Sequence, residues 1–224
     1  MPIPFLIPII IVGVSTVAGL FTVAAYWDDL IIFFKGKNIA ILGSIETGKS
    51  TMHTYLREGE VIVTHNSTKK VNVSKNRFKL GELEINIKEG IDISGQRDYM
   101  SDWKNVFKTS DICFYMFDTY KIYNNDLDYI EKIYFHLTHI NNWKEELNIN
   151  PKIIMIGGFS DKIPEFNQLN ESNVQEFEEK IRVKIKPAFL QGSISPSNIF
   201  IGSLATKVSI EKLLRDVLIR ISQD

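Results

Sequence analysis

The sequence predicts an α/β fold with a six-stranded, mostly parallel sheet, one antiparallel edge strand, helices on both faces and one N-terminal transmembrane helix. Three observations lead to this prediction. Short apolar runs alternate with amphipathic segments along residues 37–224, and strands that alternate with helices form parallel sheets covered on both faces. A glycine-rich turn separates the first apolar run from the first helix, and a long uncharged segment precedes the domain.

Six runs of apolar or alternating apolar residues indicate the strands. They lie at residues 38–42, 71–80, 83–88, 111–118, 153–158 and 198–202. The second and third strands are joined by a tight turn, so we expect them to be antiparallel. Helices are predicted over residues 51–57, 126–147, 171–189 and 209–221, with Ser209 as the N-cap of the last.

Residues 43–50 match the phosphate-loop pattern G-x-x-x-x-G-K-[ST]. A strand, this loop and a helix N-terminus put backbone N–H groups around one anion. The pattern predicts a P-loop NTPase in which Lys49 reaches the β- and γ-phosphates and Ser50 ligates Mg²⁺. The other predicted nucleotide contacts here are Gly43, Ser44, Ile45, Glu46, Thr47, Gly48 and Thr51. The alternative is a turn that matches by chance, which both flanking segments disfavour.

A second motif, with Asp92, Gly95 and Gln96, follows the third predicted strand. An Asp at the end of a strand opposite a phosphate loop lies where Mg²⁺ needs a carboxylate. Gly95 lets the backbone approach a γ-phosphate, and Gln96 can orient a water for in-line attack. The D-x-x-G pattern alone occurs in many turns, but its place after this strand indicates nucleotide hydrolysis.

The composition limits the function further. The chain has 224 residues and a formal net charge of −1, which does not favour a nucleic-acid partner. Its single cysteine, Cys113, lies in an apolar run and is expected in the core, which fits a reducing compartment without disulfides. His136 and His139 are expected to be surface or half-buried residues rather than metal ligands.

The N-terminal segment predicts a membrane anchor. Residues 2–27 carry no charged side chain. A helix over residues 8–27 would span about 30 Å, the hydrocarbon thickness of a bilayer. Tyr26 and Trp27 lie where an interfacial aromatic belt belongs. We therefore expect residues 4–27 to contact membrane lipid.

This anchor divides the chain into three parts. Residues 1–27 are the predicted transmembrane anchor, residues 28–36 a linker and residues 37–224 the nucleotide-binding domain. Lys35 and Lys37 follow the span and no Lys or Arg precedes it, which places the domain in the cytoplasm of a single-pass protein. A cleaved signal peptide is the main alternative, which the lack of a basic first region disfavours. A buried helix of a soluble domain is disfavoured, because no polar face interrupts the segment.

Four stretches resemble the Ras-like small GTPases, over nearly all of residues 37–224. They are the phosphate loop, the D-x-x-G-Q-like residues 92–96, residues 157–161 in the place of the guanine-reading N-K-x-D, and residues 203–205 in the place of S-A-K. With its N-terminal anchor, the layout is similar to an Arf-like protein or the signal-recognition-particle receptor β subunit.

The resemblance implies GTP and GDP as nucleotides, with Mg²⁺. It assigns catalysis to Lys49 and Gln96. It assigns the metal to Ser50, Thr68 and Asp92, with Thr64 as the alternative to Thr68. It assigns further nucleotide contacts to Gly95, Phe159, Asp161, Ser203, Leu204 and Ala205.

The base-reading stretch departs from the family pattern. Gly158 and Phe159 stand where the family has Asn and Lys, and Asp161 is kept. The family Asp accepts hydrogen bonds from guanine that adenine cannot donate, so Asp161 alone can discriminate by about 1–3 kcal/mol. We expect the Phe159 ring to cover the base. The alternatives are a promiscuous or adenine-binding site, and an Asp161 that only caps its loop with Lys162.

The expected function is a membrane-anchored GTP-binding switch. Ile45 and Glu46 stand where many family members carry glycine, and crowding near Gln96 predicts slow hydrolysis. Residues 63–70 and 95–104 are the expected switch segments that contact an effector or activating protein. The alternative function is a nucleotide-holding receptor or scaffold subunit that recruits a soluble partner. A P-loop ATPase is disfavoured by the strand order and by Asp161.

Overall fold

The structure is a computed structural model that describes residues 37–58, 76–80, 83–89, 99–169, 171–190 and 198–221. Within these residues the strands are β1 (Asn38–Gly43), β2 (Asn76–Leu80), β3 (Leu83–Glu89), β4 (Ile112–Asp118), β5 (Lys152–Gly158) and β6 (Ile199–Ile201). The helices are α1 (Lys49–Glu58), α2 (Tyr99–Phe107), α3 (Thr119–Tyr123), α4 (Leu127–Leu147), α5 (Pro164–Asn167), α6 (Glu171–Leu190) and α7 (Lys207–Ile221). A 3-10 turn covers Ser160–Lys162.

The strands form one sheet in the order β2-β3-β1-β4-β5-β6. Strand β2 is antiparallel to β3 at the edge, and every other neighbouring pair is parallel. The predicted α/β architecture with a mostly parallel sheet is therefore confirmed. Because parallel strands end on the same side, the loops after β1, β4, β5 and β6 meet at one edge of the sheet.

Each face of the sheet carries its own apolar layer. All residues of β4 are buried, and they alternate between the two layers as period-2 side chains must. One layer holds Cys113, Tyr115 and Phe117 with buried residues of α2, α4 and α6. The other holds Ile112, Phe114 and Met116 with buried residues of α1 and α7. The prediction that Cys113 is a core residue is confirmed.

The helix ends show how local sequence sets the elements. Helix α4 begins after Asp126, whose carboxylate accepts the backbone N–H of Tyr129 at 3.0 Å, and it ends at Asn148 in the left-handed conformation. Helix α7 begins at Lys207, two residues before the predicted start. The prediction of Ser209 as N-cap is wrong, because the Thr206 hydroxyl accepts the Ser209 backbone N–H at 3.2 Å.

The expectation of a surface or half-buried residue is wrong for His136. The ring is fully buried, with Nδ1 2.9 Å from the Tyr115 hydroxyl and the Trp103 ring in an edge contact at 4.8 Å between centroids. Burial first, and then the positive charges of Lys132 and Lys49, lower the pKa of His136 to about 3. His136 is thus a neutral polar residue that joins α4 to β4 and α2.

The predicted anchor and linker, residues 1–36, lie outside the described residues. From Lys37 onward, none of the described helices combines the length and apolar character needed to cross a bilayer.

Candidate nucleotide site

The loop between β1 and α1 has a backbone that only particular residues can adopt. Gly43 has φ +143°, and a Cβ placed there would lie 2.2 Å from the carbonyl oxygen of Met116. Gly48 has φ +87°, and Glu46 lies in the left-handed region at φ 60°. The two glycines of the phosphate-loop pattern therefore stand where the fold requires residues without a side chain.

The Lys49 side chain folds back onto this loop. Its side chain is 3% exposed, and its ammonium donates a 2.5 Å hydrogen bond to the backbone carbonyl of Ser44. The same carbonyl accepts the Thr47 hydroxyl at 2.9 Å. A positive charge is thus held next to a turn of backbone N–H groups and the N-terminus of α1, an arrangement that attracts phosphate.

The outer part of the loop is open to solvent. Ile45 and Glu46 are exposed at its tip, and the Ser50 side chain is exposed in the first turn of α1, next to the half-buried Thr51. An accessible hydroxyl fits Mg²⁺, which is bound by few protein oxygens together with phosphates and waters. The described residues contain no group of three His, Cys, Asp or Glu side chains that could hold a metal alone. The exposed Ser50 hydroxyl beside the phosphate loop is the observation that fits Mg²⁺ bound together with a nucleotide.

The loop after β5 carries the predicted base-reading residues. Phe159 is half-buried with φ 63°, and the Lys162 ammonium lies 4.1 Å from the centre of its ring. This cation–π contact occupies one face of Phe159. The Asp161 side chain is exposed, while its backbone carbonyl accepts the Asn167 side-chain amide at 2.8 Å. The turn is fixed by its backbone, and the carboxylate faces solvent.

The loop after β6 brings residues 203–205 to the same edge. Leu204 is buried, Ser203 is half-buried and Ala205 is exposed. The Ser203 hydroxyl accepts the Ala205 backbone N–H at 3.1 Å. A Cβ on Gly48 would lie 2.4 Å from Leu204 Cδ1, and a Cβ on Gly158 would lie 3.4 Å from the same atom. The phosphate loop and the loops after β5 and β6 therefore meet at Leu204.

Two residues at this edge were not assigned to the site from the sequence. Asp118 ends β4, is buried, and donates its backbone N–H to the Tyr129 hydroxyl at 2.8 Å. Burial raises the pKa of the Asp118 carboxyl, against the lowering effect of the Lys121 backbone N–H and the Lys162 charge. The Tyr129 hydroxyl also faces Ser44 of the phosphate loop. The sequence feature that could have indicated Asp118 was a carboxylate at the end of a fully apolar strand.

Four predicted site residues lie outside the described residues: Thr68, Asp92, Gly95 and Gln96. The first switch segment, residues 63–70, lies outside them as well. Of the second segment, residues 99–104 form the beginning of α2.

No family model matches the chain, and no curated protein matches it. Solved structures do match. One is an ADP ribosylation factor-like GTP binding protein, the small COPII coat GTPase SAR1 from Encephalitozoon cuniculi, in complex with GDP. Its TM-score to this chain is 0.52 and its sequence identity is 12%. The match covers 92% of this chain and 90% of that chain. Another is a GTP-binding protein from the archaeon Sulfolobus solfataricus in complex with GDP; the TM-score is 0.49 and the identity 16%, covering 92% of this chain and 55% of that chain. The first likeness shows that this chain has the fold of an Arf-like small GTPase.

Proposed function

We propose that the protein is a small GTP-binding switch that holds GTP with Mg²⁺ and hydrolyses it slowly to GDP. The observation that carries this proposal is the position of Lys49. Its ammonium is buried and bonded to the carbonyl of Ser44, beside the backbone N–H groups of residues 43–48. A triphosphate supplies the negative charge that such a site attracts.

The proposal extends to guanine as the base. Asp161 has an exposed carboxylate on a turn fixed by its own backbone, next to Phe159 and Lys162. A carboxylate can accept two hydrogen bonds from guanine, whereas adenine would leave it unpaired. In the alternative, Asp161 contacts no base and the site accepts adenine nucleotides as well.

In this proposal, catalysis is positioning and charge neutralisation. The loop N–H groups and Lys49 would hold the phosphates, and the Ser50 hydroxyl would ligate Mg²⁺, with Thr68 and Asp92 as its proposed partners. When bound, Mg²⁺ would neutralise negative charge on the triphosphate. Gln96 is the proposed group that aligns the attacking water.

We also propose that residues 1–27 anchor the protein in a membrane, through lipid contacts of residues 4–27, with the domain in the cytoplasm. The lack of charge in this segment supports the proposal. Loss of the γ-phosphate would release residues 63–70 and 95–104, which would otherwise bind an effector or activating protein.

Competition between nucleotides tests the binding site. The purified full-length protein with Mg²⁺ should retain a fluorescent guanine nucleotide, which GTP displaces at lower concentration than ATP. Lys49→Ala should abolish retention, whereas Lys108→Ala, which removes an exposed lysine after α2, should leave it unchanged. Retention by Lys49→Ala equal to that of the parent would refute the site, and equal competition by ATP would refute guanine selectivity.

Single-turnover hydrolysis separates the switch from the scaffold alternative. Both functions need the same bound nucleotide, but only the switch converts GTP to GDP. Slow cleavage that a partner protein accelerates supports the switch. Nucleotide retained for hours without cleavage, with candidate partners present, would favour a receptor or scaffold subunit whose nucleotide is structural.

A further inference from the structure

Leu204 lies where three loops meet at the proposed nucleotide site. They are the phosphate loop, the loop after β5, here called the base-reading loop, and the loop after β6 that contains Leu204 itself. Its Cδ1 is the nearest atom to a Cβ built on Gly48, at 2.4 Å, and to one built on Gly158, at 3.4 Å. The side chain is 7% exposed. It therefore packs against the backbone of the phosphate loop and of the base-reading loop at the same time.

The same side chain is anchored in the core. Leu204 belongs to the apolar layer that contains Met52 and Tyr55 of α1 and Ile210 and Leu214 of α7. Because interiors are close-packed, a side chain held on its core side transmits its position to the loops that it touches.

Backbone hydrogen bonds complete the junction. The Gly202 N–H donates to the Gly157 carbonyl at 2.9 Å, and the Ser160 N–H donates to the Gly202 carbonyl at 3.2 Å. These bonds fix the loop of Leu204 to the loop after β5. They do not reach the phosphate loop, which Leu204 contacts through its side chain.

The two departures from the family pattern at this point are complementary in volume. Gly158 replaces an Asn of the N-K-x-D pattern, and Leu204 replaces the Ala of the S-A-K pattern. The structure places the enlarged residue against the reduced one. A Cβ on Gly158 would also lie 3.6 Å from the Thr47 carbonyl oxygen, so a side-chain amide at position 158 would point toward the phosphate loop.

We propose that Leu204 is a positioning residue that holds the phosphate loop and the base-reading loop in register by apolar packing, in place of a polar side chain at position 158. This inference rests on the proposed nucleotide function. It predicts that Leu204 controls how long a nucleotide that bridges the two loops stays bound, because the bound state requires both loops at a fixed separation.

The rate of fluorescent GDP release from the full-length protein tests the proposal. Leu204→Ala should release GDP at least about tenfold faster, a loss of ~1.4 kcal/mol of binding. Leu214→Ala is the matched control, because it removes the same atoms from the same apolar layer within α7. It should lower thermal stability and leave the release rate close to that of the parent.

A double variant supplies a signature that simple destabilisation does not give. Gly158→Asn alone should accelerate release, because atoms beyond Cβ would collide with Leu204. Combined with Leu204→Ala, the introduced amide gains space and can donate to the Thr47 carbonyl, so release should be slower than in either single variant. Additive acceleration in the double variant would overturn the proposal.

The outcomes distinguish a failure of the positioning role of Leu204 from a failure of the proposed nucleotide function. If the parent retains GDP and Leu204→Ala releases it no faster than Leu214→Ala, the positioning role is wrong and the nucleotide function stands. If the parent protein binds no guanine nucleotide, the proposed function fails and this inference fails with it.

Discussion

The backbone N–H of Asp118 donates a 2.8 Å hydrogen bond to the hydroxyl oxygen of Tyr129. Asp118 is the last residue of β4, and Tyr129 lies in the first turn of α4. The backbone N–H of Tyr129 is in turn bound by the Asp126 cap. Tyr129 therefore connects the edge of the sheet that carries the phosphate-loop motif to the start of a helix that forms much of one apolar layer.

Removing the Tyr129 hydroxyl should destabilise the protein. Tyr129→Phe leaves a buried N–H at Asp118 without its acceptor, which costs about 1–3 kcal/mol. Urea unfolding measures this loss. Tyr134→Phe is the control, because that hydroxyl makes no hydrogen bond among the described residues and its removal should cost little. Equal losses in the two variants would show that the Asp118 bond contributes nothing specific.

The Asp118 carboxyl predicts an unusual pH dependence. Its folded-state pKa is raised, chiefly by burial, so the native state binds more protons than the unfolded state above the ordinary Asp pKa near 3.8. This contribution to stability is present at low pH and is lost as pH rises through the folded pKa. Asp118→Asn keeps an acceptor for the Lys121 N–H and removes this loss. The variant should therefore gain stability over the parent at pH 7 and lose that advantage toward pH 4. An advantage that is independent of pH would contradict the raised pKa.

The sheet and the phosphate loop were predictable because their signals are local. The residues of β1 and β4 are continuous apolar runs, and the loop is defined by glycines at fixed spacing. The roles of Tyr129 and Leu204 were not predictable, because their partners are distant in sequence and are brought together only when the sheet is assembled. The spacing of a motif predicts which residues form a loop, but it does not predict which distant side chains pack against that loop.

Two predictions were wrong, Ser209 as the N-cap of α7 and His136 as a surface or half-buried residue, and they failed for a similar reason. Thr206 and Ser209 are both good caps three residues apart, and each hydroxyl contacts the other residue, so local propensity could not choose between them. His136 lies on a helix among apolar residues, and its burial depends on Tyr115 from a different element. A buried histidine needs a hydrogen-bond partner, and the sequence does not show which residue provides it.

His136 should make the protein less stable as the solution becomes acidic. The folded-state pKa of His136, about 3, lies below the ordinary histidine pKa of 6.5, so below pH 6.5 the unfolded state binds a proton that the native state does not. Stability is therefore lost progressively as pH falls from 6.5 toward 3, by up to ~1.4 kcal/mol per pH unit. His136→Asn, which can still bond the Tyr115 hydroxyl, should reduce this slope between pH 6.5 and pH 4.5. Chemical denaturation at several pH values gives the slope; an unchanged slope would assign the acid sensitivity to other groups.

Ile45 is predicted to limit hydrolysis. Its side chain is 37% exposed at the tip of the phosphate loop, where the resemblance to Ras-like small GTPases implies glycine. Ile45→Gly removes a branched side chain beside the expected path of the attacking water and should raise single-turnover GTP cleavage by about tenfold, or ~1.4 kcal/mol of barrier. Ile45→Val keeps the branched Cβ and should stay near the parent rate. No increase for Ile45→Gly, with GTP affinity unchanged, would exclude crowding as the cause of slow turnover.

Gly43 and Gly158 offer a paired test of the nucleotide edge, because both end strands but only one lacks space for a methyl group. A Cβ on Gly43 would lie 2.2 Å from the Met116 carbonyl oxygen at a φ of +143°. Gly43→Ala should therefore lower the free energy of unfolding by at least about 2 kcal/mol and weaken nucleotide retention. A Cβ on Gly158 would make only ordinary contacts, at 3.4 Å or more, so Gly158→Ala should leave stability unchanged or raise it by up to about 1 kcal/mol. Urea unfolding and GDP retention of both variants give the comparison. A tolerated Gly43→Ala would show that β1 and β4 are farther apart at Gly43 than the 2.2 Å distance requires. The contact between Gly43 and β4 would then not fix the beginning of the phosphate loop.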